Sequence, residues 1–99
     1  MSGAAQVAAL RAQLDELDAR LVATLGKRMA ISLRVAKVKA RLGLPQRDLL
    51  REAFILRRSR QLARPPREGA AAQTVLSTVL AVTRAAAKAA LKHRGKHGS

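Results

Sequence analysis

The chain has 99 residues, with 20 lysines and arginines against 6 aspartates and glutamates, a formal net charge of +14. That length suits one small domain, which buries only a modest share of its surface and gains from pairing with a second copy. Cysteine is absent and the only histidines are His93 and His97 near the C-terminus, so disulfides and thiolate metal sites are excluded and a histidine–carboxylate metal site is not expected. No apolar run approaches the ~20 residues of a bilayer span, and Met1 to Ala9 lacks the basic start of a signal peptide, so no membrane partner and a cytoplasmic location are expected.

The first predicted element is a helix over about 5–42. Leu10, Leu14, Leu17, Leu21 and Leu25 recur at spacings of three and four, a helical stripe interrupted only by Gly26, which a helix tolerates at a cost of ~1 kcal/mol. Asp15, Glu16 and Asp18 lie in its first half and Lys37, Lys39 and Arg41 in its last turns, the order that suits the helix dipole. Such a helix would be ~57 Å long, more than a domain of this size can cover, so a second copy is expected alongside it. Gly43-Leu44-Pro45 is a stop signal.

A second helix is predicted over about 46–63, with Leu49, Leu50, Phe54, Ile55 and Leu62 as its apolar set. The stretch Arg64 to Gly69, with two prolines, is a loop. A third helix is predicted over about 70–93, carrying Val75, Leu76, Val79, Leu80 and Val82 and then the alanine-rich run Ala85 to Ala90. Residues 1–93 thus form one helical domain, and 94–99 form a basic tail expected to be disordered. The charge is uneven. Residues 1–26 hold Arg11 and Arg20 against Asp15, Glu16 and Asp18, while residues 27–99 hold 18 basic and 3 acidic groups.

Charged residues interrupt the apolar stripes. Arg28, Val35 and Lys39 lie seven and eleven residues apart, so each falls ~20° from a whole number of turns and all three share one face. Arg11 lies ~100° around the helix and ~25 Å along it from Arg28, so a long helix could supply basic groups to two different sites. Asp48, Arg51 and Glu52 share one face of the second helix. Taken singly, each reads most simply as a solvated surface charge worth ~0–1 kcal/mol. That plain reading is adopted for Lys37, Arg41, Arg57, Arg58, Arg60 and Arg64.

The whole set has a more specific look. Leu10-Arg11, Leu14-Asp15, Leu17-Asp18 and Leu21 are followed by Lys27-Arg28, then Val35-Ala36-Lys37-Val38-Lys39, Pro45, and Asp48-x-x-Arg51-Glu52. In order and spacing this resembles the all-helical (AroQ-class) chorismate mutase family, over roughly residues 7–91 and most clearly from Leu10 to Leu56. The resemblance implies an all-α fold: a three-helix protomer in an intertwined homodimer with two shared active sites, each completed by Arg11 from the other copy.

The implied reaction is the Claisen-type rearrangement of chorismate to prephenate, a unimolecular step on a small dianion that calls for no metal and no cofactor. It asks the protein to hold a compact substrate shape and to place cations where charge develops. By resemblance, Arg11, Arg28 and Arg51 hold the substrate carboxylates, a task guanidinium forks fit. Lys39 donates to the ether oxygen, Glu52 and the backbone near Asp48 hold the ring hydroxyl, and Val35 and Ile55 wall the ring.

The third helix departs from the usual pattern, in which many relatives place a serine and, four residues later, a glutamine. An ungapped register puts Arg84 and Lys88 there, with Lys88 as a second donor to the ether oxygen. A register slid by one residue puts Thr83 and Ala87 there, without that donor. The ungapped register is the one adopted. Two further readings on the same fold remain open: pyruvate removal from isochorismate, against which Glu52 argues, and rearrangement of an amino analogue of chorismate. A reading from another class is a basic helical nucleic-acid binder, motivated by the charge excess. With Phe54 as the single aromatic, base stacking is essentially unavailable, and nucleic acid is not the expected partner.

Overall fold

The computed structural model describes residues 2–97, with side chains through Lys92. The described residues form three helices, α1 (Gly3–Leu42), α2 (Leu49–Leu62) and α3 (Gly69–His97), with one 3-10 turn (Pro66–Glu68) and no strand. The expected all-α, three-helix protomer is what is found.

Helix α1 begins at Gly3 rather than Ala5 because Ser2 caps it. The Ser2 hydroxyl accepts from the Ala5 N–H at 3.1 Å and its carbonyl accepts from the Gln6 N–H at 3.0 Å. At the other end Gly43 adopts φ +70°. Leu44 N–H reaches back to the Lys39 carbonyl at 2.9 Å and Gly43 N–H to the Ala40 carbonyl at 3.3 Å, the paired bonds of a Schellman stop. The left-handed φ is why glycine stands there.

The chain divides into two compact units, with the division after Ile31. In the first, no described side chain is buried. Its leucine stripe lies open, with Leu10, Leu14, Leu17 and Leu21 exposed by 59%, 57%, 57% and 64%.

In the second unit α2 and α3 pack antiparallel across the turn between them. Leu80 and Ser59 are buried in this pair, flanked by half-buried Ile55, Leu56, Leu76 and Val79. The Ser59 hydroxyl is satisfied by the Leu56 carbonyl at 2.7 Å. Gly69 lets the two helices meet closely, since a Cβ there would stand 2.9 Å from Arg60 Cγ and 3.1 Å from the Arg60 carbonyl oxygen. Ala36, at the C-terminal end of α1, is also buried, and its carbonyl accepts from Gln46 Nε2 at 3.0 Å.

The boundaries of α2 and α3 also differ from the sequence reading. Helix α2 starts at Leu49, not at Gln46, because Asp48 is its N-cap: its backbone is extended and its Oδ1 accepts from the Arg51 N–H at 2.9 Å. Gln46 and Arg47 therefore belong to the connection. Helix α3 continues to His97, past the expected end at 93. Arg94 to Lys96 contain no proline, and one interior glycine costs a helix ~1 kcal/mol without ending it. Gly98 and Ser99, the rest of the expected tail, lie outside the described residues.

One composition-based expectation is corrected. Pro66–Lys92 is long and apolar enough by length and composition to cross a membrane. Alanine, valine and leucine make this stretch apolar, and Leu76, Val79 and Leu80 are turned toward α2.

Candidate active site

The connection between α1 and α2 and the facing side of α3 bring several charged groups together within the second unit. Lys39, in the last turn of α1, is half-buried, and its Nζ donates to the Gln46 carbonyl at 3.2 Å. With Gln46 Nε2 on the Ala36 carbonyl, two opposed hydrogen bonds clamp the connection to the end of α1. An ammonium has three hydrogens to donate, so Lys39 keeps donor capacity for a ligand.

Glu52, in the first turn of α2, is the centre of the cluster. Its side chain is only 17% exposed and takes two arginines. Arg47 grips it with a fork, Nε to Oε2 at 3.2 Å and Nη2 to Oε1 at 3.4 Å. Arg84 of α3 reaches across to donate from Nη1 to Oε1 at 2.9 Å. Asp48 caps α2 through the Arg51 N–H, so its carboxylate is committed to holding the helix start that carries Glu52.

Other candidates lie apart from this network. The Arg51 guanidinium stands over the Phe54 ring, 5.2 Å from its centroid. Ile55 is half-buried one turn along α2, and Val35 is 48% exposed on α1. Lys88 is exposed one turn beyond Arg84 on the same side of α3. Arg11 and Arg28 belong to the first unit, where Arg11 is exposed and Arg28 half-buried.

The alternative positions on α3 are placed differently. Thr83 donates to the Val79 carbonyl of its own helix at 2.7 Å, and Thr83 and Ala87 lie on the half-buried face. Of the two registers, it is Arg84 whose side chain meets Glu52.

Sequence reasoning missed Gln46 and Arg47. Both precede the helix cap, so no helical spacing relates them to Glu52, and only the turn of the connection brings them back. Arg60 and Arg64, read as plain solvated charges, also have partners: Arg60 bonds Gln73 Oε1 through Nε at 3.3 Å and Nη2 at 3.2 Å, and Arg64 donates to the Gln61 and Ala63 carbonyls at 3.0 and 2.7 Å.

Chemically, the cluster sets two guanidinium groups around one carboxylate, Arg47 from the segment joining α1 to α2 and Arg84 from the middle of α3. Such a set binds a small anion and presents an acceptor beside it. A family model described as chorismate mutase type II matches residues 10–88. The chain belongs to that family. The matched segment contains every candidate position from Arg11 to Lys88. Among curated proteins, a chorismate mutase of Methanocaldococcus jannaschii is 32% identical over 59 residues, covering 60% of this chain and 60% of that protein. The aligned region thus spans less than two thirds of the relative's length. No solved structure matches the chain significantly.

Proposed function

We propose that this member of the type II family is a chorismate mutase: it rearranges chorismate to prephenate without a cofactor, in the cytoplasm, as a homodimer with shared sites. The observation that carries the reading is the family match over residues 10–88, which takes in all the candidate positions. The name of the Methanocaldococcus jannaschii relative points the same way. The pairing of Arg84 with Glu52, and the spare donor capacity of Lys39 at the end of α1, supply the kinds of group the reaction needs.

The rearrangement breaks an ether C–O bond as a C–C bond forms, so negative charge grows on the ether oxygen in the transition state. Lys39, with hydrogens left to donate, stabilises that charge, and Lys88 adds a second cation one turn past Arg84. Arg28, Arg51 and Arg11 of the partner subunit hold the two carboxylates and fold the substrate into its reactive shape. Glu52 accepts the ring hydroxyl, next to the backbone at Asp48. Val35 and Ile55 give the ring an apolar wall. Each of these is a task of positioning and preorganised charge, which is how this reaction is accelerated.

The open leucine stripe of α1 supports the homodimer: more than half of each of Leu10, Leu14, Leu17 and Leu21 faces solvent in the single chain. A contiguous apolar face of this kind marks an association surface.

The test is direct. Purified protein mixed with chorismate should consume its absorbance and yield prephenate, identified as product. A wild-type protein that leaves chorismate unchanged would remove this reading.

A further inference from the structure

The most unusual feature of the cluster is how fully the Glu52 carboxylate is used. Three N–H groups of Arg47 and Arg84 donate to it, two on Oε1 and one on Oε2. A carboxylate offers about four acceptor positions, so about one is left, on Oε2. Two full positive charges stand against this single negative one, and the carboxylate is largely enclosed.

We propose that Arg47 and Arg84 turn Glu52 into a selector that accepts a neutral hydroxyl and rejects a protonated amine at the same substrate position. The inference rests on the chorismate mutase reading and deepens it, because a bare carboxylate at position 52 would not discriminate this way. Unscreened, Glu52 would attract an ammonium more strongly than a hydroxyl. Flanked by two guanidinium groups, it presents one lone pair in a locally positive field. A hydroxyl needs one acceptor and carries no charge, so it fits. An ammonium carries three hydrogens and a positive charge, finds one acceptor, and is repelled by both arginines. Arg47 and Arg84 are positioning residues in this account: they act on the substrate through Glu52. The discrimination works by a repulsive element as much as by an attractive one.

Arg84 contributes a single N–H to Oε1, so lysine at that position can keep the charge and the bond, whereas glutamine keeps a donor and loses the charge. That difference separates electrostatic selection from simple support of the fold.

The experiment measures kcat/KM for chorismate and for its amino analogue, in which an amine replaces the ring hydroxyl. It uses the full-length wild type, Arg84→Gln, Arg84→Lys and Arg47→Gln, at neutral pH. The wild type should favour the hydroxyl substrate by at least about tenfold, the size of one charge-assisted contact. Arg84→Gln and Arg47→Gln should each narrow that ratio by about tenfold, even where both rates fall, and Arg84→Lys should keep it. If a variant turns over neither substrate, the calorimetric affinities for the two compounds supply the same ratio. A ratio unchanged in both glutamine variants, or a wild type that prefers the amine, overturns the inference and leaves the mutase reading standing. A wild type inert toward chorismate overturns both.

Discussion

Lys39 is tied to a backbone carbonyl and yet has hydrogens to spare, and this defines what its loss should do. Lys39→Ala removes the proposed donor to the ether oxygen, and kcat should fall by about 100- to 1,000-fold, as for other preorganised oxyanion donors. The circular dichroism spectrum should be unchanged, because the Gln46–Ala36 bond still holds the connection. Near-normal turnover by Lys39→Ala would show that the donor lies elsewhere. Position 88 against position 83 decides the third helix: Lys88→Ala should cost activity, while Thr83→Ala, whose hydroxyl serves its own helix, should leave kcat within about twofold and at most lower the melting point. The residue types at these positions were readable from the chain, since helical spacing alone relates Arg28, Val35 and Lys39. Arg47 was not, because it reaches Glu52 through a non-helical connection that has no periodicity.

At the scale of elements, the α1–α2 connection and the first turn of α2 hold Arg47 and Glu52, and the middle of α3 adds Arg84. Asp48 starts α2 and so fixes where Glu52 points. Asp48→Ala should cost about 1 kcal/mol of stability through the lost cap, a drop of about 4–8 °C in Tm for a chain of this size. Calorimetry or a thermal melt reads it. The two structurally special glycines should behave differently from ordinary ones. Gly69→Ala forces a Cβ to 3.1 Å from the backbone carbonyl oxygen of Arg60, so it should separate α2 from α3 and weaken the Arg84–Glu52 contact as well as stability. Gly43→Ala meets no neighbour and pays only for its left-handed backbone, about 1–2 kcal/mol. The stop at Gly43 was legible from sequence because a glycine followed by a nearby proline has a local cause. The start of α2 was placed too early because Gln46 and Arg47 are good helix formers, and only the extended backbone at Asp48 excludes them from the helix.

At the scale of the whole molecule, the open leucine stripe governs. Leu17→Asp places a charge on the proposed association face and should shift the protein toward monomer in light scattering, with a large loss of activity. Mixing inactive Arg11→Ala with inactive Arg51→Ala protein should restore about a quarter of wild-type activity if protomers exchange freely, one working site per mixed dimer at half the population. No recovery, with exchange demonstrated separately, would show that each site is built from one chain. The charge excess is the other property of the whole. Glu52 and Glu68 are paired with arginine and Asp48 caps a helix, so the acids of the second unit are already engaged. The surplus of lysine and arginine should speed capture of a dianion at low salt. Binding to nucleic acid would instead collapse as salt rises, and a mobility shift across an ionic-strength series separates the two.

The amino-acid sequence by itself determined the helical fold class, the length and stop of the first helix, and the set of cations and carboxylates that the family match contains. Each of these follows from local spacing and from the chemistry of single residues. Tertiary structure alone decided which of them meet. The antiparallel packing of α3 on α2 sets Arg84 rather than Thr83 against Glu52, and the turn after Pro45 adds Arg47 to the same carboxylate. Those contacts join residues 5 and 32 positions apart in the chain, and no periodic pattern spans such separations. Helix spacing says which side of a helix a residue is on; the packing of one helix against another says what it faces.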